Sequence, residues 1–221
     1  MGARALDTRD SYGGYRQRLV ETLQEKGIRD LAVLKAVAAT PRHRFVPDSV
    51  RHRAYEDSAL PIAAGQTISQ PWVQARSLQE LALTGREKVL EVGGGSGYQT
   101  ALLAQIAGNV VAIERVPALA EQARGVLKEL GFRNTTVVAG DGTLGWRTLA
   151  PFDAIVVAAA SPSIPAPLVE QLAEGGRMVI PVGDRDEQTL VRVDKRGGDT
   201  TVTPLSDVRF VPLLGQFGFR G

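Results

Sequence analysis

Between Lys88 and Tyr98 an apolar strand carrying one carboxylate runs straight into a glycine-dense turn, Glu91-Val92-Gly93-Gly94-Gly95-Ser96-Gly97, and then into a helix. Glycines at Gly93, Gly95 and Gly97 keep Cβ atoms out of the way, so the chain can turn sharply and a ligand can come close to its backbone. The dinucleotide fingerprint G-x-G-x-x-G needs its third glycine where Tyr98 stands, so the spacing favours a different nucleotide-type cofactor. Glu91, just before the turn, can receive a cationic group; the ammonium of S-adenosylmethionine suits it better than a pyrophosphate. A second apolar run, Asn109 to Glu114, ends in a carboxylate about twenty residues after the first glycine, where doubly wound folds place the acceptor for ribose hydroxyls. A third, Thr135 to Ala139, ends at Gly140-Asp141-Gly142, which makes Asp141 a candidate acceptor for an adenine amine. A structural turn would also use glycine, but three acids at consecutive strand ends point to a ligand site.

The elements that must position these residues are readable from the pattern. Tyr15 to Lys26 has helical periodicity and stops at Gly27, and Asp30 then reads as the N-cap of a helix through Ala39. Pro41 and Pro47 rule out a continuing helix, and the stretch to Gln70 reads as a long irregular loop of the kind that commonly carries function. A helix opens near Pro71 and carries Val73, Leu78, Leu81 and Leu83. After the first strand come a helix (Tyr98 to Ala107), strand, helix (Pro117 to Leu130), strand, loop, strand (Phe152 to Ala158), helix (Pro165 to Leu172) and strand (Gly176 to Val182). This alternation predicts an α/β, doubly wound, mostly parallel sheet with helices on both faces and the ligand at the carboxyl ends of its strands. Gln188 to Asp194 and Thr200 to Leu205 alternate polar and apolar residues around Lys195 to Asp199, which predicts an antiparallel hairpin at the C-terminal end.

With 221 residues, 43% hydrophobic and 23% charged, the chain can bury a full core as a single domain. Within it, residues 1–84 are expected to make an N-terminal helical and substrate-loop region, 85–183 the cofactor-binding core, and 184–221 a C-terminal hairpin and substrate-contacting strand. A net charge of +2 argues against a nucleic-acid protein. Arg42, Arg44, Arg51 and Arg53 cluster around His43 and His52, and read as a solvated or substrate-approach face. Without cysteine there is no disulfide, thiolate nucleophile or cysteine metal site, and two histidines at this separation do not make a zinc site. Met1 to Asp10 lacks the apolar core of a signal peptide and no run is long enough to span a bilayer, so a cytoplasmic protein is expected.

Several of these stretches together resemble the protein-L-isoaspartate O-methyltransferase family across nearly the whole chain. Gly65-Gln66-Thr67-Ile68-Ser69-Gln70-Pro71 is similar to its substrate loop, Val89 to Tyr98 to its cofactor turn, and Gly140-Asp141-Gly142 to its acidic motif. Pro151 to Ala160, Ile180-Pro181-Val182-Gly183 and Val208-Arg209-Phe210-Val211-Pro212-Leu213 extend the match. Gly94 and Trp72 depart mildly from it.

The resemblance implies a Rossmann-like class I methyltransferase with an N-terminal helical extension. It also implies methyl transfer from S-adenosylmethionine to the α-carboxylate of L-isoaspartyl residues in aged proteins, the ester then closing to a succinimide. On that reading Glu91, Gly93, Gly95, Ser96, Gly97, Glu114, Asp141 and Gly142 bind the cofactor, and Ser69 positions the acceptor carboxylate. Thr67, Ile68, Val211, Pro212 and Leu213 bind the substrate, the last three through strand-like pairing. Helix capping is the competing role for Ser69. The alternatives are a class I methyltransferase acting on a small molecule and a non-catalytic ligand-binding module. No nucleic-acid or membrane partner is expected, and a monomer is favoured.

Overall fold

The computed structural model describes residues 12–220, so the reading of Met1 to Asp10 lies outside them. Helices α1 (Gly13–Glu25) and α2 (Leu31–Ala39) come first, and the Asp30 carboxylate caps α2 by accepting from the N–H groups of Ala32 and Val33. The stretch from Pro41 to Gln70 is irregular, as its prolines require, but short 3-10 turns organise it. So does a small ladder of β1 (Leu60–Pro61) against β2 (Thr67–Ile68). Helix α3 (Pro71–Leu81) opens on proline at its first turn, where the missing N–H has no intrahelical partner to lose.

The α/β unit comprises β3 (Lys88–Val92), α4 (Tyr98–Ile106), β4 (Asn109–Glu114), α5 (Pro117–Glu129), β5 (Thr135–Ala139), β6 (Phe152–Val157), α6 (Ala166–Gln171) and β7 (Leu172–Gly183). The hairpin of β8 (Gln188–Arg196) and β9 (Asp199–Val208) closes it, turning at Gly197-Gly198. These strands form one seven-stranded sheet in the order β5-β4-β3-β6-β7-β8-β9. Pairing is parallel from β5 to β7 and antiparallel from β7 to β9. This is the Rossmann-like, mostly parallel sheet that the sequence predicts.

Two details differ. Strand β7 begins at Leu172, directly off α6, because Leu172 pairs with Phe152 and the ladder resumes at Ala154 and Arg177 after an irregularity that absorbs the intervening glycines. The helices are also unevenly shared between the faces. Val89, Val110, Ala112, Ala154 and Val156 pack under α1 to α5, whereas their strand neighbours Leu90, Val111, Ile113, Ile155 and Val157 pack with Leu168 of α6 and Leu213. Alternate residues of each strand thus feed opposite cores, the period-2 pattern of a sheet buried on both faces.

Candidate active site

Strand β3 lies between β4 and β6, where the strand order reverses and a crevice opens beyond the carboxyl ends. The N–H groups of Gly93 and Gly94 both donate to the Ile113 carbonyl, at 2.8 and 3.1 Å, pinning the glycine turn to the end of β4. The Gly95 N–H donates to Glu114 Oε2 at 2.7 Å and the Val116 N–H to Glu114 Oε1 at 2.8 Å, so this carboxylate is fixed against the turn. Glu91 is fully buried: its Oε2 accepts from the Thr100 hydroxyl at 2.5 Å and its Oε1 has no hydrogen-bond partner. Burial pushes the Glu91 carboxyl up to about 8, with Thr100 and Gln99 working against that rise and the Glu114 charge adding to it.

Two cavities open at this turn, and a groove adjoins them through shared walls. A cavity of about 250 Å³ is lined by Gly93, Gly95, Glu114, Arg115, Gly142, Ala158 and residues 211–214, among others. A polar cavity of about 30 Å³ lies among Ser69, Gln74, Glu91, Gln99 and residues 93–96. An open groove of about 600 Å³ is lined by Ala59, Thr67, Ser69, Gln70, Trp72, Val73 and residues 207–211. Thr67 lines all three, Ser69 the groove and the small cavity, and Val211 the groove and the larger cavity.

The C-terminal segment supplies one wall. Its Leu213 N–H donates to the Ala160 carbonyl at 2.7 Å, the Ala160 N–H to the Val211 carbonyl at 2.8 Å, and Arg115 Nη1 to the Leu214 carbonyl at 2.9 Å. Asp141 ties the same segment down. Its Oδ1 accepts from the Thr143 N–H and hydroxyl at 2.9 and 2.7 Å, and its Oδ2 from the Gln216 N–H at 2.8 Å. Burial works to raise the Asp141 pKa, but these bonds and nearby Arg115 leave it below the ordinary aspartate value.

The predicted site residues are thus mostly brought together, with some reassigned. Glu91, Gly93, Gly95 and Ser96 surround the small cavity, and Gly93, Gly95, Glu114 and Gly142 the larger one. Gly97 lines neither: it has φ +86° and a Cβ there would sit 3.0 Å from the Ala123 Cβ, so it lets α4 approach α5. Asp141 stands behind Gly142, outside the cavity walls. Ile68 is 3% exposed and belongs to the core, touching only the small cavity, while Pro212 and Leu213 line the larger cavity instead of the groove. With the Val211 carbonyl and Leu213 N–H already spent on Ala160, Pro212 can offer a substrate backbone only its carbonyl.

Ser69 does not cap α3. Gln70 occupies the N-cap without a side-chain bond, and the Trp72 N–H is taken at 2.8 Å by Asp57, fifteen residues upstream. Arg42, expected on a solvated face, is instead completely buried, drawn inward by the Ser69 carbonyl and Gln74 Oε1. Arg115 and Asp57 brace segments that wall the site, and the sequence does not flag them because their partners lie far away in the chain and leave no local pattern.

Residues 15–218 match the family model described as protein-L-isoaspartate(D-aspartate) O-methyltransferase (PCMT). A protein-L-isoaspartate O-methyltransferase of Dictyoglomus thermophilum is 49% identical over 220 residues, covering 100% of each chain. One from Methanoculleus marisnigri is 51% identical over 207 residues, covering 93% of this chain and 94% of its own. Among solved structures, a protein-L-isoaspartate O-methyltransferase superposes with a TM-score of 0.84 at 28% identity, over 92% of this chain and 67% of that one. A candidate enzyme of the same name from Plasmodium falciparum, crystallised with S-adenosyl-L-homocysteine, gives 0.80 at 28% identity, over 90% and 98%.

Proposed function

The chain belongs to the protein-L-isoaspartate(D-aspartate) O-methyltransferase family, and from that premise we propose how its residues divide the work. The enzyme esterifies the α-carboxylate of L-isoaspartyl residues in damaged proteins and peptides, using S-adenosylmethionine. The observation that carries the site assignment is that Thr67 and Ser69 stand on walls shared by the open groove and the cavities at the glycine turn. An acceptor lying in the groove therefore meets the cofactor side at these two residues.

The residues present fit the cofactor. The unpartnered Oε1 of Glu91 faces a cavity large enough for an ammonium group, Gly93 and Gly95 present bare backbone, and Glu114 is held where ribose hydroxyls would be received. Gly142 lines the adenine end, and Asp141, outside the cavity walls, acts there through the C-terminal segment that it holds by the Gln216 N–H. When bound, S-adenosylmethionine supplies an electrophilic methyl group on a sulfonium.

The protein's own task is alignment. An acceptor carboxylate, with a reference pKa of about 4, is already ionised at neutral pH, so no general base is required. The Ser69 hydroxyl, free of any capping duty, donates to that carboxylate and fixes its approach. Trp72, Val73, Val208, Phe210 and Val211 give the groove an apolar wall that displaces water and accommodates the flanking peptide. So open a groove suits a peptide better than the small-molecule alternative.

The same proposal makes the enzyme a cytoplasmic monomer with no nucleic-acid or membrane partner. Arg44, Arg51 and Arg53 support the exclusion of nucleic acid, since they pair with Glu129, Asp48 and Glu56. Among the described residues no helix is long and apolar enough to cross a membrane. The test is Ser69→Ala. Losing one hydrogen bond to a charged group should lower turnover roughly ten- to hundredfold with S-adenosylhomocysteine affinity intact. Unchanged turnover would remove Ser69 from the mechanism.

A further inference from the structure

Arg42 is the one buried cation among the described residues. Its guanidinium donates from Nη2 to the Ser69 carbonyl at 2.8 Å and from Nη1 to Gln74 Oε1 at 3.0 Å, and it lies over the Tyr98 ring, 4.7 Å from the centroid. Its Nε has no hydrogen-bond partner, and among the described residues no carboxylate lies within ion-pair distance. The nearby Asp57 is spent elsewhere: Lys26 Nζ donates to its Oδ2 at 2.6 Å, as does Gln70 Nε2 at 3.1 Å, while Trp72 N–H takes Oδ1. Neutral acceptors and an aromatic face thus hold this charge, an expensive arrangement that a hydrophobic side chain would avoid.

The charge adjoins the residue where the acceptor is proposed to sit. Arg42 and Asp57 grip the Ser69-to-Trp72 segment from two directions, and Ser69 opens onto the groove. We propose that Arg42 is a positioning residue for the substrate: it fixes the Ser69 carbonyl and supplies the buried positive charge that makes this site select an anionic acceptor. The inference rests on the isoaspartyl reading and adds to it the source of the carboxylate preference. A carboxylate held by the Ser69 hydroxyl would adjoin the residue whose carbonyl Arg42 grips, and unit charges about 7 Å apart serve to scale the attraction. At an effective dielectric constant of 20 to 40, that attraction amounts to about tenfold to fiftyfold in affinity.

The test compares binding of an L-isoaspartyl peptide and of its neutral α-carboxamide analogue to the enzyme loaded with S-adenosylhomocysteine. The wild type should prefer the carboxylate by about tenfold to fiftyfold. Arg42→Lys should keep most of that preference while losing turnover, because the charge stays and the two-pronged grip goes. Arg42→Met should lose the preference. Gln74→Glu is near-isosteric and leaves the Arg42 side chain in place: it puts a carboxylate on the existing 3.0 Å contact and neutralises Arg42 there. It should abolish the preference, compared at saturating S-adenosylhomocysteine because Gln74 also lines the small cavity. If Gln74→Glu still prefers the carboxylate tenfold or more, in an enzyme whose wild type methylates the isoaspartyl peptide, Arg42 is structural only and the inference falls alone. A wild type that methylates no isoaspartyl peptide overturns the functional reading and takes this inference with it.

Discussion

Gly95 and Gly97 sit two residues apart in one turn, both with positive φ, yet the structure assigns them opposite duties, and alanine at each position separates them. At Gly97, with φ +86° and ψ 4°, an L-residue costs about 1–2 kcal/mol in backbone strain. The new Cβ would also lie 3.0 Å from the Ala123 Cβ, 3.4 Å from the Ala123 Cα and 3.5 Å from Leu127 Cδ1, forcing α5 outward. Overpacking of that kind adds about 1–3 kcal/mol, for a total of about 2–5. In a chain of this length each kcal/mol moves Tm by roughly 2–4 °C, so Gly97→Ala should melt about 4–20 °C lower. The folded fraction should bind S-adenosylhomocysteine normally, since Gly97 lines neither of the two cavities at the turn. At Gly95 the Cβ would meet Ile62 Cδ1 at 3.8 Å, an ordinary contact, so only the strain of φ +52° remains. Gly95→Ala should lose about 1–2 kcal/mol of stability, but its methyl group enters the cofactor cavity and should weaken binding tenfold or more. Thermal melts and calorimetric titration of both variants decide the matter. Weakened binding with an unchanged Tm at Gly97→Ala would refute the division of roles.

Two further outcomes concern buried titratable groups. Glu91 keeps its proton in the folded state up to about pH 8, whereas in the unfolded chain it releases it near 4.5, so the ligand-free protein should lose stability as pH rises through that window. Glu91→Gln should flatten this slope between about pH 5.5 and 8 in urea titrations, and a slope that survives the substitution would count against the assignment. Half-buried His43 stacks on Tyr12 at 4.0 Å with its Nδ1 2.7 Å from the Tyr55 hydroxyl. Burial first, then Arg16, Arg44 and Arg51, push it down to about 4. Its ring resonances should titrate there by NMR, and a midpoint near 6.5 would contradict the packing.

Much of this fold is legible where local and tertiary demands agree. The β-branched runs at Asn109–Glu114 and Thr135–Ala139 have the same bounds in sequence and structure, and Asp30 caps the helix it precedes. The Gly197-Gly198 pair turns the hairpin as read, though the ladder extends beyond the predicted strands because backbone pairing tolerates the charged residues at the exposed end. Roles decided by distant partners are not legible. Arg42 reads as one of four solvated arginines because its acceptors lie 27 and 32 residues away. Ser69 precedes a helix, so its sequence leaves capping open beside the positioning role, and only the structure shows Asp57 reaching across to take the helix N–H. Gly97 shares the spacing of a cofactor glycine, and only the packing of α4 on α5 shows what it is for. The candidate site is therefore visible in the sequence as a set of motifs, whereas its supporting contacts emerge only in three dimensions.

The most direct measurement of the central claim is methyl transfer from labelled S-adenosylmethionine to two matched peptides, one with L-isoaspartate and one with normal aspartate at the same position. Base-labile label should enter only the isoaspartyl peptide. Equal labelling of both peptides, or none in either while S-adenosylhomocysteine still binds, would contradict it.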